Sequence, residues 1–239
     1  MIIDTKHGKI SIHYPDDHIS RELMHHKEYE WYVIEIIAGF INTNTTGIFL
    51  DIGANIGTVT IPIADHYPDV HVHAFELQPH IIDILKENIS LNNVESNITI
   101  HEFGLGNVAT KMKLQMPVYA EAKNIGGLSL NNDIHQYSDI SKGQGEVVEI
   151  EVKTLDSIKF DQPIRCIKID VEGFEQQVLE GALETLKEHN YPPIVYELWS
   201  YNPWWQTNAM NLKSFLINLG YTLTQQDDTG IAIYEKLSS

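Results

Sequence analysis

The sequence predicts an α/β fold in which a mainly parallel, doubly wound sheet carries helices on both faces. From residue 47 to the end of the chain, short apolar segments of strand length alternate with longer segments of helical periodicity. Strand–helix alternation of this kind is typical of parallel sheets that are covered on both sides. The length of 239 residues suits one large domain with decorations, or at most two small ones.

The composition excludes several functional classes. The chain has 16 Lys and Arg against 33 Asp and Glu, which gives a formal charge of −17. Because this charge would repel phosphate backbones and anionic lipid, we expect neither nucleic acid nor a membrane as a partner. A single cysteine excludes a disulfide framework and a Cys-based metal cluster. We find no apolar run of membrane-spanning length and no signal peptide, and we therefore expect a soluble, cytoplasmic protein, with homo-oligomerisation left open.

An N-terminal extension precedes the alternating pattern. Weak alternation over Ile2–Tyr14 predicts a short hairpin, and apolar residues recur at helical spacing over Ile19–Ile41. Asn42–Gly47 then breaks this spacing with Asn, Thr and Gly. We therefore expect a hairpin and helical extension over residues 1–46 and one main domain over residues 47–239.

The main domain is predicted to have five core strands, four helices and a C-terminal hairpin. The core strands are Ile48–Ile52, Val70–Phe75, Ile98–Phe103, Ile164–Ile169 and Ile194–Tyr196. The helices are Thr58–His66, Pro79–Leu91, Glu175–His189 and Ala209–Leu219. The hairpin pairs Tyr221–Gln225 with Ile231–Glu235. After the third strand, residues 107–149 interrupt the alternation, and we interpret them as a β insertion with strands at Met112–Met116 and Val147–Thr154.

The first three strand ends carry the parts of an adenosine site. Asp51–Gly57 joins the first strand to its helix, and its glycines let the backbone approach a ligand closely. Glu76 ends the second strand, where an acid can bind both ribose hydroxyls. Phe103 and Gly104 end the third strand, where an adenine would lie against apolar side chains. Because ligands bind at the carboxyl ends of parallel strands, these residues predict a nucleoside site, although a plain tight turn would also explain the first motif.

The chemistry of the first turn favours S-adenosylmethionine over NAD or ATP. Asn55 stands where the dinucleotide fingerprint has its second glycine, and its side chain would crowd a pyrophosphate. The carboxylate of Asp51 would repel a diphosphate but attract an ammonium or sulfonium group. The sequence has no Gly-x-x-x-x-Gly-Lys-Ser/Thr loop for a nucleoside triphosphate.

Five motifs together resemble the FkbM family of S-adenosylmethionine-dependent methyltransferases. They are Asp51-Ile-Gly-Ala-Asn-Ile-Gly57, Ala74-Phe-Glu-Leu-Gln-Pro79, Asn124-Ile-Gly-Gly-Leu-Ser129, Thr154-Leu-Asp156 and Ile167-Lys-Ile-Asp-Val-Glu-Gly-Phe-Glu175. The resemblance covers about residues 47–197. It implies a Rossmann-like class I methyltransferase fold, with a seven-stranded sheet whose final hairpin strand is antiparallel, and it implies O-methylation of sugar or small-molecule hydroxyls.

The resemblance also implies which residues bind the cofactor. The first turn would hold the methionine part, Glu76 the ribose, and Phe103 with Gly104 the adenine, while Asp170 would face the sulfonium. The full set of expected cofactor-binding residues is Asp51, Gly53, Asn55, Gly57, Thr58, Glu76, Leu77, Phe103, Gly104 and Asp170.

Methyl transfer to a hydroxyl requires a proton acceptor, because an alcohol is a poor nucleophile until a base removes its proton. Asp170 and Glu172, at the end of the fourth strand, are the favoured acids, and Glu197 at the end of the fifth is the third choice. Lys168 shares a strand face with Asp170 and is either ion-paired there or a lysine whose lowered pKa lets it move protons. Neighbouring acids could instead bind Mg²⁺, but the Asp-Asn pair expected on the fifth strand is missing, and we assign no metal.

Two loops are candidates for the acceptor site. The aromatic segment 199–205 follows the fifth strand, and Trp199, Tyr201 and Trp204 are predicted to form an acceptor wall or, equally, a hydrophobic lid or interface. Asn124 and Ser129 bound a glycine-containing loop that could cover the same opening.

The favoured function is methylation of a hydroxyl on a sugar, glycan or small metabolite. One alternative is a methyltransferase for an amine or a carboxylate, which would need less help from a base. Another is a non-catalytic adenosyl-ligand binding protein, against which the acids of the fourth strand argue, since a pure binder has no use for a proton acceptor.

Overall fold

The computed structural model describes residues 1–41, 46–131, 145–197, 203–226 and 231–236. The N-terminal extension consists of a hairpin and two helices, namely β1 (Ile2–Thr5), β2 (Gly8–Ser11), α1 (His18–His26) and α2 (Trp31–Phe40). The hairpin confirms the prediction for this segment. The helical spacing over Ile19–Ile41 is divided between two helices, because Lys27 and Glu30 adopt left-handed backbone conformations, with φ of 62° and 47°.

Within the described ranges of the main domain, ten further strands follow. They are β3 (Gly47–Ile52), β4 (Val70–Phe75), β5 (Ile98–His101), β6 (Gly104–Leu105), β7 (Thr110–Gln115), β8 (Val147–Lys153), β9 (Ile164–Ile169), β10 (Ile194–Glu197), β11 (Thr222–Gln226) and β12 (Ile231–Glu235). Seven of them form one sheet in the order β11-β12-β10-β9-β3-β4-β5. The pairs among β5, β4, β3, β9 and β10 are parallel, whereas β12 runs antiparallel to both β10 and β11. This topology confirms the predicted doubly wound sheet with an antiparallel C-terminal hairpin.

In the part of the domain that the structure describes, five helices accompany these strands, namely α3 (Thr60–His66), α4 (Pro79–Asn92), α5 (Glu175–Glu180), α6 (Leu183–Glu188) and α7 (Pro203–Asn218). The prediction of one helix over Glu175–His189 is wrong, because the segment breaks at Gly181. A Cβ atom at Gly181 would collide with the carbonyl oxygen of Gly106, so the two backbones come too close here for any other residue.

Apolar side chains fill both faces of the large sheet. On one face, Val33 and Ile37 of α2 belong to the same buried cluster as Phe49 of β3, so the N-terminal extension packs directly on the main domain. The other face carries the buried residues of α5, α6 and α7. Cys166 is fully buried in β9, as expected for a small core residue.

The interruption after the third core strand contains a second, smaller sheet. Its three strands have the order β6-β8-β7, and its buried side chains include Leu114, Ile150 and Val152. The two strands predicted near Met112–Met116 and Val147–Thr154 are therefore present, while part of the proposed insertion lies outside the described residues. Among the helices that the structure describes, none has the length and apolar content needed to cross a membrane.

Candidate active site

The turn after β3 contains three residues in the left-handed backbone region, which favours glycine. Gly53 and Gly57 have φ of 85° and 96°, and Asn55 between them has φ of 50°. A Cβ atom at Gly53 would collide with the carbonyl oxygen of Asp170, which follows β9. The glycine is therefore required because the turn packs against the end of the neighbouring strand.

The carboxylate of Glu76 organises this turn from the end of β4. Its Oε2 accepts a hydrogen bond from the N–H of Asn55 at 3.1 Å, and its Oε1 accepts from the N–H groups of Leu77 at 2.8 Å and Gln78 at 2.9 Å. Burial raises the pKa of Glu76, and the three N–H donors oppose this rise. Glu76 also lines a cleft at the carboxyl ends of the strands, so the same acid both holds the turn and faces the cleft.

The cleft at the carboxyl ends of the strands encloses about 1200 Å³, counting its open mouth. Beside Glu76 its wall is apolar and partly aromatic. This part of the wall comprises Phe75, Leu77, Phe103, Leu105, Leu128 and Leu130. An apolar wall next to a single hydrogen-bonding acid suits a flat heterocycle attached to a hydroxylated ring.

A buried lysine, Lys168, contributes to the lining of the cleft. The Nζ of Lys168 donates to the carbonyl oxygen of Gly53 at 2.9 Å and to Oδ2 of Asp170 at 3.3 Å, and it lies 3.5 Å from Oδ1 of Asp51. Burial lowers the pKa of Lys168, but the surrounding carboxylates outweigh that effect and the net shift is upward. The structure thus favours the ion-paired lysine over one that transfers protons.

Three acids beyond Lys168 have strongly raised pKa values, caused first by burial; the next largest cause is the charge of Asp170 for Glu172 and Glu197, whereas backbone N–H donors oppose the rise for Glu175. The pKa is raised to about 8 for Glu172, to about 7 for Glu175 and to about 10 for Glu197. Glu175 accepts the N–H of Gly173 at 2.9 Å and does not line the cleft, whereas Glu172 and Glu197 do. The predicted acidic edge is therefore present on the cleft wall.

The N-terminal extension supplies a wall of the cleft that the sequence did not reveal. His18, Tyr29, Glu30 and Val33 line the cleft together with the strand ends. Burial and, after it, the negative charge of Asp170 raise the pKa of Glu30. The available signal was an acid and an aromatic residue in the middle of a helical pattern, but no Gly or Pro marks the break that turns them inward.

His7 connects this wall to the glycine turn. Its Nδ1 lies 2.6 Å from the carbonyl oxygen of Thr58, and its Nε2 accepts the N–H of Tyr29 at 2.9 Å. Because a carbonyl can only accept, these two partners require a neutral ring with the proton on Nδ1. Burial lowers the pKa of His7, which is consistent with the neutral form.

Most of the predicted site residues share the cleft. Those that line it are Gly53, Asn55, Thr58, Glu76, Leu77, Phe103, Gly104, Asn124, Lys168, Asp170, Glu172 and Glu197. Trp199 and Tyr201 lie outside the described residues. Within the described part of the chain, no group of three or more His, Cys, Asp or Glu residues is placed to hold a metal.

Four predicted site residues do not line the cleft, namely Asp51, Gly57, Ser129 and Trp204. Asp51 is 0% exposed, and its carboxylate faces Lys168 and the hydroxyl of Thr60, which donates to it at 2.6 Å. The expected direct contact between Asp51 and a ligand is thus corrected to an indirect effect through Lys168. Ser129 is also 0% exposed, and its hydroxyl oxygen accepts the N–H of Asn131 at 3.0 Å. Trp204 packs edge-on against Trp205.

The strand order, the glycine turn and the acid on the adjacent strand define a class I methyltransferase fold. The family model of the methyltransferase FkbM domain matches residues 51–223 of the sequence. The chain therefore belongs to this family.

Three known proteins illustrate the similarity. Methyltransferase 1 of Beauveria bassiana is 32% identical over 144 residues, which cover 55% of this chain and 57% of that protein. Methyltransferase sdnD of Sordaria araneosa is 28% identical over 163 residues, or 60% of this chain and 63% of its own length. The matched stretch is thus less than two thirds of either relative. The crystal structure of a precorrin-6y C5,15-methyltransferase from Geobacter metallireducens shares the fold, with a TM-score of 0.50 and 14% identity over 87% of this chain and 88% of that one.

Proposed function

We propose that this chain is an S-adenosylmethionine-dependent methyltransferase that acts on a hydroxyl group of a sugar, glycan or small metabolite. The observation that carries the proposal is the division of a single cleft. One part has an apolar wall beside Glu76, and the adjoining part carries the carboxyl groups of Asp170, Glu172 and Glu197. A nucleoside cofactor and a proton acceptor are the two requirements of methyl transfer to an alcohol.

The residues of the first part fit the proposed cofactor. Gly53 and Asn55 line the part of the cleft that would hold the methionine part, Glu76 would accept hydrogen bonds from the ribose, and Phe103 and Leu77 would contact the adenine. When bound, S-adenosylmethionine supplies an electrophilic methyl group. The carboxylate of Asp170, held by Lys168, would offset the positive charge of such a ligand.

The residues of the second part act on the acceptor. The carboxyl group of Glu172, whose pKa is raised to about 8, can exchange a proton near neutral pH, which is the property required of a general base.

The charge of the cleft wall restricts the acceptor. Among the described lining residues, the basic side chains are those of Lys168 and His18, whereas five side chains are acidic, namely Glu30, Glu76, Asp170, Glu172 and Glu197. Because few basic side chains line the described part of the cleft, carboxylates, phosphates and nucleic acid would find little positive charge there, and this favours a neutral hydroxyl compound as the acceptor. An amine acceptor is the second candidate, and it would tolerate Asp170→Asn better because it needs less help from a base.

Two measurements test the proposal. Calorimetry should detect binding of S-adenosylhomocysteine and no binding of NADH, and the reverse result would overturn the cofactor assignment. A panel of sugars, glycans, alcohols and amines should then be incubated with isotopically labelled S-adenosylmethionine and analysed by mass spectrometry. We expect label on an oxygen atom; label found only on nitrogen would replace the hydroxyl acceptor by an amine, and cofactor binding without turnover of any compound would favour a non-catalytic binder.

A further inference from the structure

The loop formed by residues 123–128 packs against the glycine turn after β3. A Cβ atom on Gly126 would collide with Nδ2 of Asn55, so the backbone of this loop contacts the Asn55 amide directly. Asn124 and Gly126 line the cleft together with Gly53 and Asn55. The 123–128 loop and the glycine turn therefore enclose the same part of the cleft.

The 123–128 loop is held at Ile125, through both polar groups of the backbone. The N–H of Ile125 donates to Oδ1 of Asp17 at 3.0 Å, and the carbonyl oxygen of the same residue accepts from Nε2 of Gln78 at 3.0 Å. Asp17 and Gln78 are each 1% exposed, and Ile125 is also buried. Because a buried backbone group without a partner is costly, these two hydrogen bonds fix the position of the loop.

Asp17 joins the 123–128 loop to the N-terminal extension. Its Oδ2 accepts the N–H of Ser20 at 3.1 Å and so caps the first turn of α1. Beside this cap, the N–H of His18 donates to the carbonyl oxygen of Lys123 at 2.7 Å. Since His18 and Ile19 also line the cleft, the start of α1 and the 123–128 loop form one wall, which the Asp17 side chain holds together.

Gln78 joins the same loop to the acid that is proposed to bind the ribose. The side chain of Gln78 donates to Ile125, while its backbone N–H donates to Oε1 of Glu76 at 2.9 Å. Hydrogen bonds thus connect the Asp17 carboxylate through Ile125 and Gln78 to Glu76. A residue of the N-terminal extension is therefore linked to the cofactor part of the cleft.

We propose that Asp17 is a positioning residue for the cofactor. It holds the 123–128 loop against Asn55, and this contact gives the cleft the shape that the methionine part of S-adenosylmethionine requires. Asp17 does not itself line the cleft, so it acts through the loop and not by touching the ligand. The inference rests on the function proposed above and extends it to a residue outside the family match, which begins at residue 51.

The two hydrogen bonds of Asp17 can be separated by Asp17→Ser. Serine caps helices as well as aspartate does, but its single, shorter hydroxyl cannot also accept the N–H of Ile125. Amide hydrogen exchange measured by NMR should become about 10-fold faster or more at Ile125 and stay within about twofold at Ser20. Asp16→Ser, at the exposed neighbouring position, is the matched control and should leave both rates unchanged. Unchanged protection of Ile125 in Asp17→Ser would overturn the contact on which the inference depends.

The role in cofactor binding is measured by calorimetry with S-adenosylhomocysteine. We expect Asp17→Ser to bind about 10-fold more weakly, because only the fraction of molecules with the loop in place is competent to bind. With the acceptor that the wild type methylates, KM for S-adenosylmethionine should rise by about the same factor, while kcat at saturation stays within about threefold. Wild-type affinity despite faster exchange at Ile125 would overturn the inference, and so would a fall in kcat without a change in KM.

Asp17→Gly provides a second variant should Asp17→Ser not fold, since glycine at the N-cap costs a helix little. It also removes the acceptor of the Ile125 N–H, so the same weakening of about 10-fold is expected, and wild-type affinity would overturn the inference. The two possible failures can be told apart. If the wild type binds S-adenosylhomocysteine and the Asp17 variants bind it equally well, only the role of Asp17 is wrong. If the wild type does not bind it, the proposed function fails and the role of Asp17 fails with it.

Discussion

The two walls of the cleft are built in different ways. The wall around Glu76 is local, since this acid binds the N–H groups of Asn55, Leu77 and Gln78 within two successive strand–turn units. The other wall draws on Glu30 of the N-terminal extension and on Glu197 at the end of β10, which are 167 residues apart in the sequence (197 − 30). The first wall satisfies its charge with backbone donors, whereas in the second wall burial and, after it, the charge of Asp170 raise the pKa values of Glu30 and Glu197.

This difference indicates two distinct tasks. A carboxylate held by three N–H groups is a fixed acceptor, which suits recognition of a constant ligand part. Buried carboxyl groups with raised pKa values respond to what binds beside them, which suits acid–base chemistry and acceptor choice. We therefore expect substitutions near the glycine turn to affect folding and cofactor binding, and substitutions of the acids in the other wall to affect turnover.

The largest expected effect is that of Gly53→Ala. The added Cβ would collide with the carbonyl oxygen of Asp170, and φ of 85° is unfavourable for alanine. We expect a loss of about 4 kcal/mol or more in the free energy of unfolding, and no detectable binding of S-adenosylhomocysteine. Gly39→Ala in α2 is the control, because a Cβ there meets no atom within 4 Å and should stabilise the helix by about 0.5–1 kcal/mol. Equal melting curves for both variants would contradict the close approach of the turn to the end of β9.

A slightly smaller effect is expected for Lys168→Met, which removes the ammonium group that contacts Asp51 and Asp170. Asp51 and Asp170 would then lie near each other without their ammonium partner. Denaturant unfolding should show a loss of about 3–5 kcal/mol. Lys159→Met, on an exposed lysine 4.0 Å from Glu188, should change stability by about 0.5 kcal/mol or less. A loss for Lys168→Met as small as that of the control would show that the buried ion pairs are not formed in solution.

The pH dependence of stability should come from the acidic wall. The folded-state pKa values of Glu172 and Glu197 are raised to about 8 and about 10, above the ordinary value of 4.5, so the unfolded chain binds fewer protons than the folded one. Stability is therefore lost as the pH rises towards these values. The opposing contributions of His73 and His101, whose pKa values are lowered from 6.5 to about 4, come mainly from below pH 6.5 and level off at about pH 7.5.

We expect the free energy of unfolding of the ligand-free protein to fall by about 1–3 kcal/mol between about pH 6.5 and pH 8, and to fall less in Glu172→Gln. Urea titrations at several pH values measure this slope. If the free energy of unfolding rises with pH over this range, or if Glu172→Gln leaves its pH dependence unchanged, the carboxyl group of Glu172 is already ionised in the folded state.

The sequence predicted the sheet and the local wall because both are encoded over short distances. The strand lengths, the glycine turn at Gly53 and the acid at Glu76 each belong to a few neighbouring residues. The breaks at Lys27–Glu30 and at Gly181 were missed for another reason. The first contains neither Gly nor Pro, and the second depends on a contact with Gly106, which lies far away in the sequence.

The acceptor side of the cleft was predicted only in part, because it too depends on contacts between residues that lie far apart in the sequence. Asp170, Glu172 and Glu197 follow strands and could be placed at the sheet edge, but the position of Glu30 depends on how the N-terminal extension packs on the main domain. The burial of Asp51 was likewise not predictable, since it depends on Lys168 lying between the carboxylate and the cleft.

The most direct test of the two-wall account is one calorimetric comparison. S-adenosylhomocysteine should be titrated into the wild type, Glu76→Gln and Glu30→Gln, with the exposed Glu102→Gln as a control for loss of a carboxylate. The account predicts affinity about 10–100-fold weaker for Glu76→Gln, because hydrogen bonds to a charged group contribute about 1.5–3 kcal/mol each, and unchanged affinity for Glu30→Gln. Equal weakening in both variants, or full affinity in Glu76→Gln, would contradict it.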